Sequence, residues 1–147
     1  MRKKSYILIC LVVLLVVATA IGLVTGVGSG EPSLALGGAE MSLSPVLLNV
    51  ATATMDIVNS GDGDDRLVGV RVDGPRVIAE LHDVKDFRMV KVDGIPVPRR
   101  GTTTLRHGGP HIMLLGLPKG LGEGAQMTLS LSFARSGERQ IMAKLIN

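Results

Sequence analysis

Thiols, aromatic rings and net charge are all scarce in this 147-residue chain. Its one cysteine is Cys10, so no intramolecular disulfide can form and everything beyond position 10 is thiol-free. A blue-copper centre needs a Cys thiolate beside its histidines and a cysteine zinc site needs several, so both are excluded. With no Trp, one Tyr and two Phe, the chain offers no base-stacking platform. Nor does it offer a basic stripe: three of its 16 Lys and Arg stand at positions 2–4, leaving 13 against 13 Asp and Glu. Nucleic acid is therefore not an expected partner. A nucleophile elbow, a zinc-protease motif and a Walker-type Gly-Lys-Ser/Thr are missing too, and Asp62, Asp64 and Asp65 are not followed by the Glu of a calcium loop. Nothing here points to an enzyme, and the three aspartates read as a solvated turn.

What is present begins with a long apolar run. After Arg2, Lys3 and Lys4, residues 6–27 carry no charge. At helical rise this stretch covers roughly 33 Å, enough to cross a bilayer. The expectation is one N-terminal transmembrane helix within residues 1–29, with the positive cluster keeping the N-terminus in the cytoplasm and the domain outside the cell membrane. Ala18-Thr19-Ala20 fits a signal-cleavage pattern, which would release the domain instead. Cys10 follows Ile9 rather than a small residue, so lipidation is not expected. Residues 30–40, overlapping the Gly-rich stretch 26–38, read as a flexible tether, and 41–147 as one domain, expected to be monomeric.

Within that domain no stretch of helical apolar spacing escapes Gly or Pro. Short β-rich runs recur between turn residues, predicting an all-β fold, an antiparallel β-sandwich of cupredoxin-like or Ig-like outline. Strands are expected at 41–43, 46–54, 55–59, 67–72, 77–84, 87–92, 102–105, 111–115, 127–133 and 139–145. In the run 126–133, Met127, Leu129, Leu131 and Phe133 alternate onto one face.

Two residues in this pattern carry chemistry. His111 and Met113 form an H-x-M pair, and on a strand both side chains leave the same face. Met89 lies upstream of them, and His82 upstream of Met89. Thioethers joined by imidazoles suit copper(I) better than harder ions. Residues 81–89 read as a hairpin turning at Lys85-Asp86, which would set His82 directly opposite Met89. Met55, Met127 and Met142 are read as core, and His107 as a loop residue.

The stretch from Val92 to Phe133, VDGIPVPRRGTTTLRHGGPHIMLLGLPKGLGEGAQMTLSLSF, resembles the PCu(A)C-type copper chaperones, extracytoplasmic carriers of copper(I). Asn59-Ser-Gly61 and Asp65-Arg-Leu-Val-Gly69 extend the likeness upstream. The resemblance implies copper(I) as cargo, His82, Met89, His111 and Met113 as metal ligands, and the copper-binding subunit of a haem-copper oxidase or another copper carrier as acceptor. Six residues separate His82 from Met89 where the family has about ten, and an even-numbered shortening preserves which face each residue occupies. The contrasting reading is a metal-free extracytoplasmic interaction module that keeps the fold without the cargo. A copper enzyme or electron carrier is disfavoured by the missing thiolate and by only three histidines.

Overall fold

The computed structural model describes residues 30–73 and 76–146. The segment expected to cross the membrane falls outside the described residues; among the described ones no helix is long and apolar enough to do so. The fold is all-β. Among the described residues ten strands follow in order: β1 (Leu34–Leu43), β2 (Val50–Asn59), β3 (Asp65–Val72), β4 (Ile78–Lys85), β5 (Arg88–Lys91), β6 (Ile95–Val97), β7 (Gly101–Leu105), β8 (His111–Leu115), β9 (Gln126–Phe133) and β10 (Gly137–Ile146). They form one curled sheet in the order β5-β4-β8-β2-β1-β10-β9-β3-β6, with β7 also pairing β2. Strands β7 and β8 share one edge of β2, β8 along its first half and β7 along its second.

Period-two alternation explains the core. Leu129, Leu131 and Phe133 of β9 are buried together, with Met127 packed against them. On β8 and β4, Ile112, Leu114 and Leu81 point into the same cluster. Burying each such aliphatic side chain is worth about 1.5–3 kcal/mol relative to exposure. His111, Met113 and His82 occupy the alternate positions of those two strands, on the opposite face.

Several expectations are corrected. The tether read over 30–40 ends early, because β1 already runs from Leu34. Its glycines serve a bulge between Gly37 and Glu40, where Gly38 takes φ +63°. Strand β2 starts at Val50 and continues unbroken through Met55 to Asn59, whereas Val46, Leu47 and Leu48 lie exposed in the preceding turn. The sheet is not wholly antiparallel, since β1 and β10 pair in parallel. Met142 is exposed rather than core, because Ala143 and Leu145 take the inward positions of β10. The short β6 was not expected.

The most consequential correction is the β4–β5 turn. Lys85 pairs with Arg88, so the two turn residues are Asp86 and Phe87. Both have positive φ, +50° and +61°, the signature of a type I′ turn. Met89 consequently stands opposite Val84, and His82 opposite Lys91. This moves the pairing by two residues and leaves every face unchanged.

The aspartate cluster is structural, and only in part the solvated turn read from sequence. Asp62 pairs with Arg100, and Asp64 accepts the Arg99 amide at 2.8 Å. Asp65 is buried and ties β3 to the β9–β10 turn by accepting from Arg66 N, Arg135 N, Ser136 N and Ser136 Oγ at 2.7, 2.9, 2.9 and 2.5 Å. Burial would raise its pKa, but these four donors outweigh that and hold the carboxyl below its ordinary value.

Two outcomes follow. Phe87 is fully exposed in a left-handed conformation, so Phe87→Gly should raise stability by roughly 0.5–1 kcal/mol, read as a higher urea midpoint. A lower midpoint would contradict this turn. A carboxyl whose folded pKa is depressed stabilises fully above its unfolded value, near 3.8 here, and loses that contribution as pH falls through the folded value. Asp65→Asn should therefore cost about 1–3 kcal/mol at pH 7, and the gap from the parent should close as pH falls below about 4. Equal gaps at pH 7 and pH 3 would be inconsistent with this role.

Candidate metal centre

Antiparallel pairing of β4 with β8 sets His82 directly opposite His111 and Glu80 opposite Met113. Paired residues share a face, so these four side chains emerge together. Pairing of β4 with β5 adds Met89 and Lys91 to that face through Val84 and His82. His82 stands at the centre. His111 faces it across the strand gap, while Met113 and Met89 are its diagonal neighbours, where Cα separations of about 7–8 Å remain within reach of long side chains. The structure thus places all four candidate residues on one face. It does not set Met89 opposite His82, and Met89 is 52% exposed where His111 is 2%.

The imidazoles lie with ring centroids 5.8 Å apart, tilted by 38°. His111 Nδ1 is 2.7 Å from the Gly109 carbonyl oxygen, which can only accept, so Nδ1 carries the proton. His82 Nε2 is 3.1 Å from Glu80 Oε2. The Glu80 carboxyl is held below its usual range, first by its hydrogen bond from Lys91 and then by that from His82. It is thus ionised at neutral pH and can only accept, so Nε2 donates. In neutral rings this leaves lone pairs on His82 Nδ1 and His111 Nε2. Both atoms are buried without a hydrogen-bond partner.

An unpartnered buried polar atom costs about 1–3 kcal/mol, and two on facing rings call for an explanation. A metal ion provides one: a ligating His characteristically donates its other ring N–H to a carbonyl or carboxylate, and both rings do so here. The donor types select among metals. Among the described residues no group of three or more His, Cys, Asp or Glu could hold an ion. The set available is two imidazole nitrogens flanked by thioethers, which fits copper(I) and disfavours magnesium, calcium and manganese.

The loop before β8 aims His111. Arg106 N donates to Pro110 O at 2.7 Å and Gly109 N to Arg106 O at 3.2 Å, closing a tight loop that presents the Gly109 carbonyl. Gly108 makes this possible with φ +76°. The exposed His107 donates to or accepts from Ser42 Oγ at 2.9 Å and stays a loop residue. Glu80 is the residue sequence reading missed. Its signal was its position, two before His82 and hence on the same strand face.

The LpqE-like family model, whose description is of a lipoprotein, matches residues 34–145. No curated protein matches the chain. Among solved structures, the copper-bound PCuAC domain from PmoF2 superposes with TM-score 0.63 at 26% identity, covering 76% of this chain and 91% of its own. The apo PCuAC domain from PmoF1 gives 0.67 at 27%, covering 77% and 92%. The solution structure of CuI-DR1885 from Deinococcus radiodurans gives 0.64 at 25%, covering 82% of each chain.

If Gly108 holds the loop that fixes His111, Gly108→Ala should cost about 1 kcal/mol of stability, with Gly108→Asn milder because Asn tolerates left-handed backbone. The His111 Nδ1 proton, slow to exchange with solvent in the parent, should exchange faster in both variants. Unchanged exchange would show that the loop does not orient the ring.

Proposed function

This chain belongs to the LpqE-like family, and from that premise we propose that its PCuAC-type domain is an extracytoplasmic copper(I) metallochaperone. The observation carrying the proposal is the pair of buried, unpartnered nitrogens, His82 Nδ1 and His111 Nε2, on rings 5.8 Å apart that share a sheet face with Met89 and Met113. The copper-bound PmoF2 domain and CuI-DR1885, to which this chain is similar, support the same cargo. His82, Met89, His111 and Met113 are the proposed ligands. Neutral ligands leave copper(I) its single charge and exchange readily, as a carrier requires, and nothing in the site calls for catalysis. The proposed acceptor is the copper-binding subunit of a haem-copper oxidase or another copper carrier.

Location belongs to the same reading. The lipoprotein description of the family and the basic residues before the apolar run both support a domain outside the cytoplasm. We take residues 1–29 as its membrane anchor and the domain that follows, from β1 onward, as a cupredoxin-like sandwich. Cys10, preceded by Ile9, makes the peptide segment rather than an acyl chain the proposed tether.

Anaerobic titration against a chromophoric chelator should give one copper(I) per chain. The His111→Ala, Met113→Ala double variant should lose at least tenfold in affinity, whereas Met142→Ala, on the exposed face of β10, should keep it. Each imidazole must be neutral to bind, so acidification should weaken binding with a limiting slope of two in log Kd against pH. A slope of one would remove one histidine from the set. No binding at all would return the domain to the metal-free interaction module.

A further inference from the structure

Glu80 does more than neighbour the proposed ligands. Its Oε2 lies 3.1 Å from His82 Nε2, while its Oε1 accepts from Lys91 Nζ at 2.6 Å. Lys91 stands opposite His82 on β5, and Met113 stands opposite Glu80 on β8. One carboxylate therefore ties the central ligand of β4 to the strand that carries Met89, beside the strand that carries Met113 and His111.

We propose that Glu80 is a positioning residue for copper loading: it fixes the His82 ring so that copper is taken through Nδ1, while His111 offers Nε2. The inference rests on the copper reading above. Two facts separate it from a surface ion pair that merely happens to be there. The bond engages the one His82 nitrogen whose protonation leaves the buried Nδ1 open, and that Nδ1 has no other partner. Lys91 is 63% exposed, so its pairing with Glu80 contributes little to folding. The part of Glu80 that matters is therefore its bond to His82, and a variant that keeps an acceptor there separates orientation from charge pairing.

Nδ1 lies next to the ring's attachment point and Nε2 at its far end. Loading through Nδ1 keeps the ion close to β4, within the span of the diagonal thioethers. Released from Glu80, the ring could turn and offer Nε2 instead, displacing the ion from them. The two histidines would then no longer present different nitrogens.

The test uses Glu80→Ala and Glu80→Gln in the full chain, titrated anaerobically with copper(I) against a chromophoric chelator. Nitrogen chemical shifts of the histidine rings are followed by NMR in parallel. In the parent, loading should perturb His82 Nδ1 and His111 Nε2. Glu80→Ala should bind about 10–100-fold more weakly, the loss typical of an outer-shell partner, and its metal-free urea midpoint should fall because His82 Nε2 loses its acceptor. Glu80→Gln keeps a carbonyl acceptor and should recover most of the affinity and the Nδ1 signature. Loading of parent His82 through Nε2, or Glu80→Ala affinity within twofold of the parent, would overturn the proposal. So would a parent that binds no copper, an outcome that removes the copper reading itself and is told apart from the others at the first titration.

Discussion

The pairing of β4 with β8 is the constraint on which the site depends. With His82 opposite His111, alternation sends Leu81, Ile112 and Leu114 to the core and Glu80, His82, His111 and Met113 to the other face. Side-chain period and register act together here. A slip of β8 by one residue would push the His111 imidazole into the aliphatic cluster and expose Ile112 and Leu114, at several kcal/mol in all. The hydrophobic core thus holds the register, and the register assembles the polar face. None of the ligand candidates belongs to that aliphatic cluster, so the core that sets the register is built without them.

The same face carries a cost that the core must offset. Two buried nitrogens without partners oppose folding by about 1–3 kcal/mol each. Such local conflicts tend to fall at functional positions. Here both rings satisfy one nitrogen, through Gly109 and Glu80, and leave the other open. A ring with neither nitrogen satisfied would be free to rotate, and one with both satisfied would have nothing to offer a metal.

Much of this was legible in the sequence, and the limits have identifiable causes. Alternation in β9 and the H-x-M spacing depend on nothing beyond strand period, so both transferred directly to the structure. Glycines misled at β1, where Gly37 and Gly38 make a bulge, since a bulge and a linker use the same residue. The apolar run Val46-Leu47-Leu48 has strand composition but lies exposed in a turn, a placement set by tertiary context. The hairpin register escaped because neither Lys85-Asp86 nor Asp86-Phe87 is a favoured turn pair; cross-strand pairing forces Phe87 into positive φ. Even so, the face of every candidate ligand was right, because moving a two-residue turn by one position changes the pairing by two. Glu80 stayed hidden because its role is defined by partners on two strands rather than by a motif.

Burial divides the proposed ligands into a fixed and an accessible part. His82 and His111 sit on strands paired on both sides, since β4 lies between β5 and β8, and β8 between β4 and β2. Met89 sits on β5, a four-residue strand at the edge of the sheet, and is half exposed. A short edge strand has the fewest bonds to break in local opening. A carrier must hold its ion against water and yet surrender it to a protein, and ligands of equal rigidity would serve only the first need. If the four proposed ligands hold copper(I), a thioether on the edge hairpin would leave first and let an incoming donor take its place, while the two imidazoles keep the ion. On the proposed copper reading, the edge hairpin would be the side of the site from which a partner approaches.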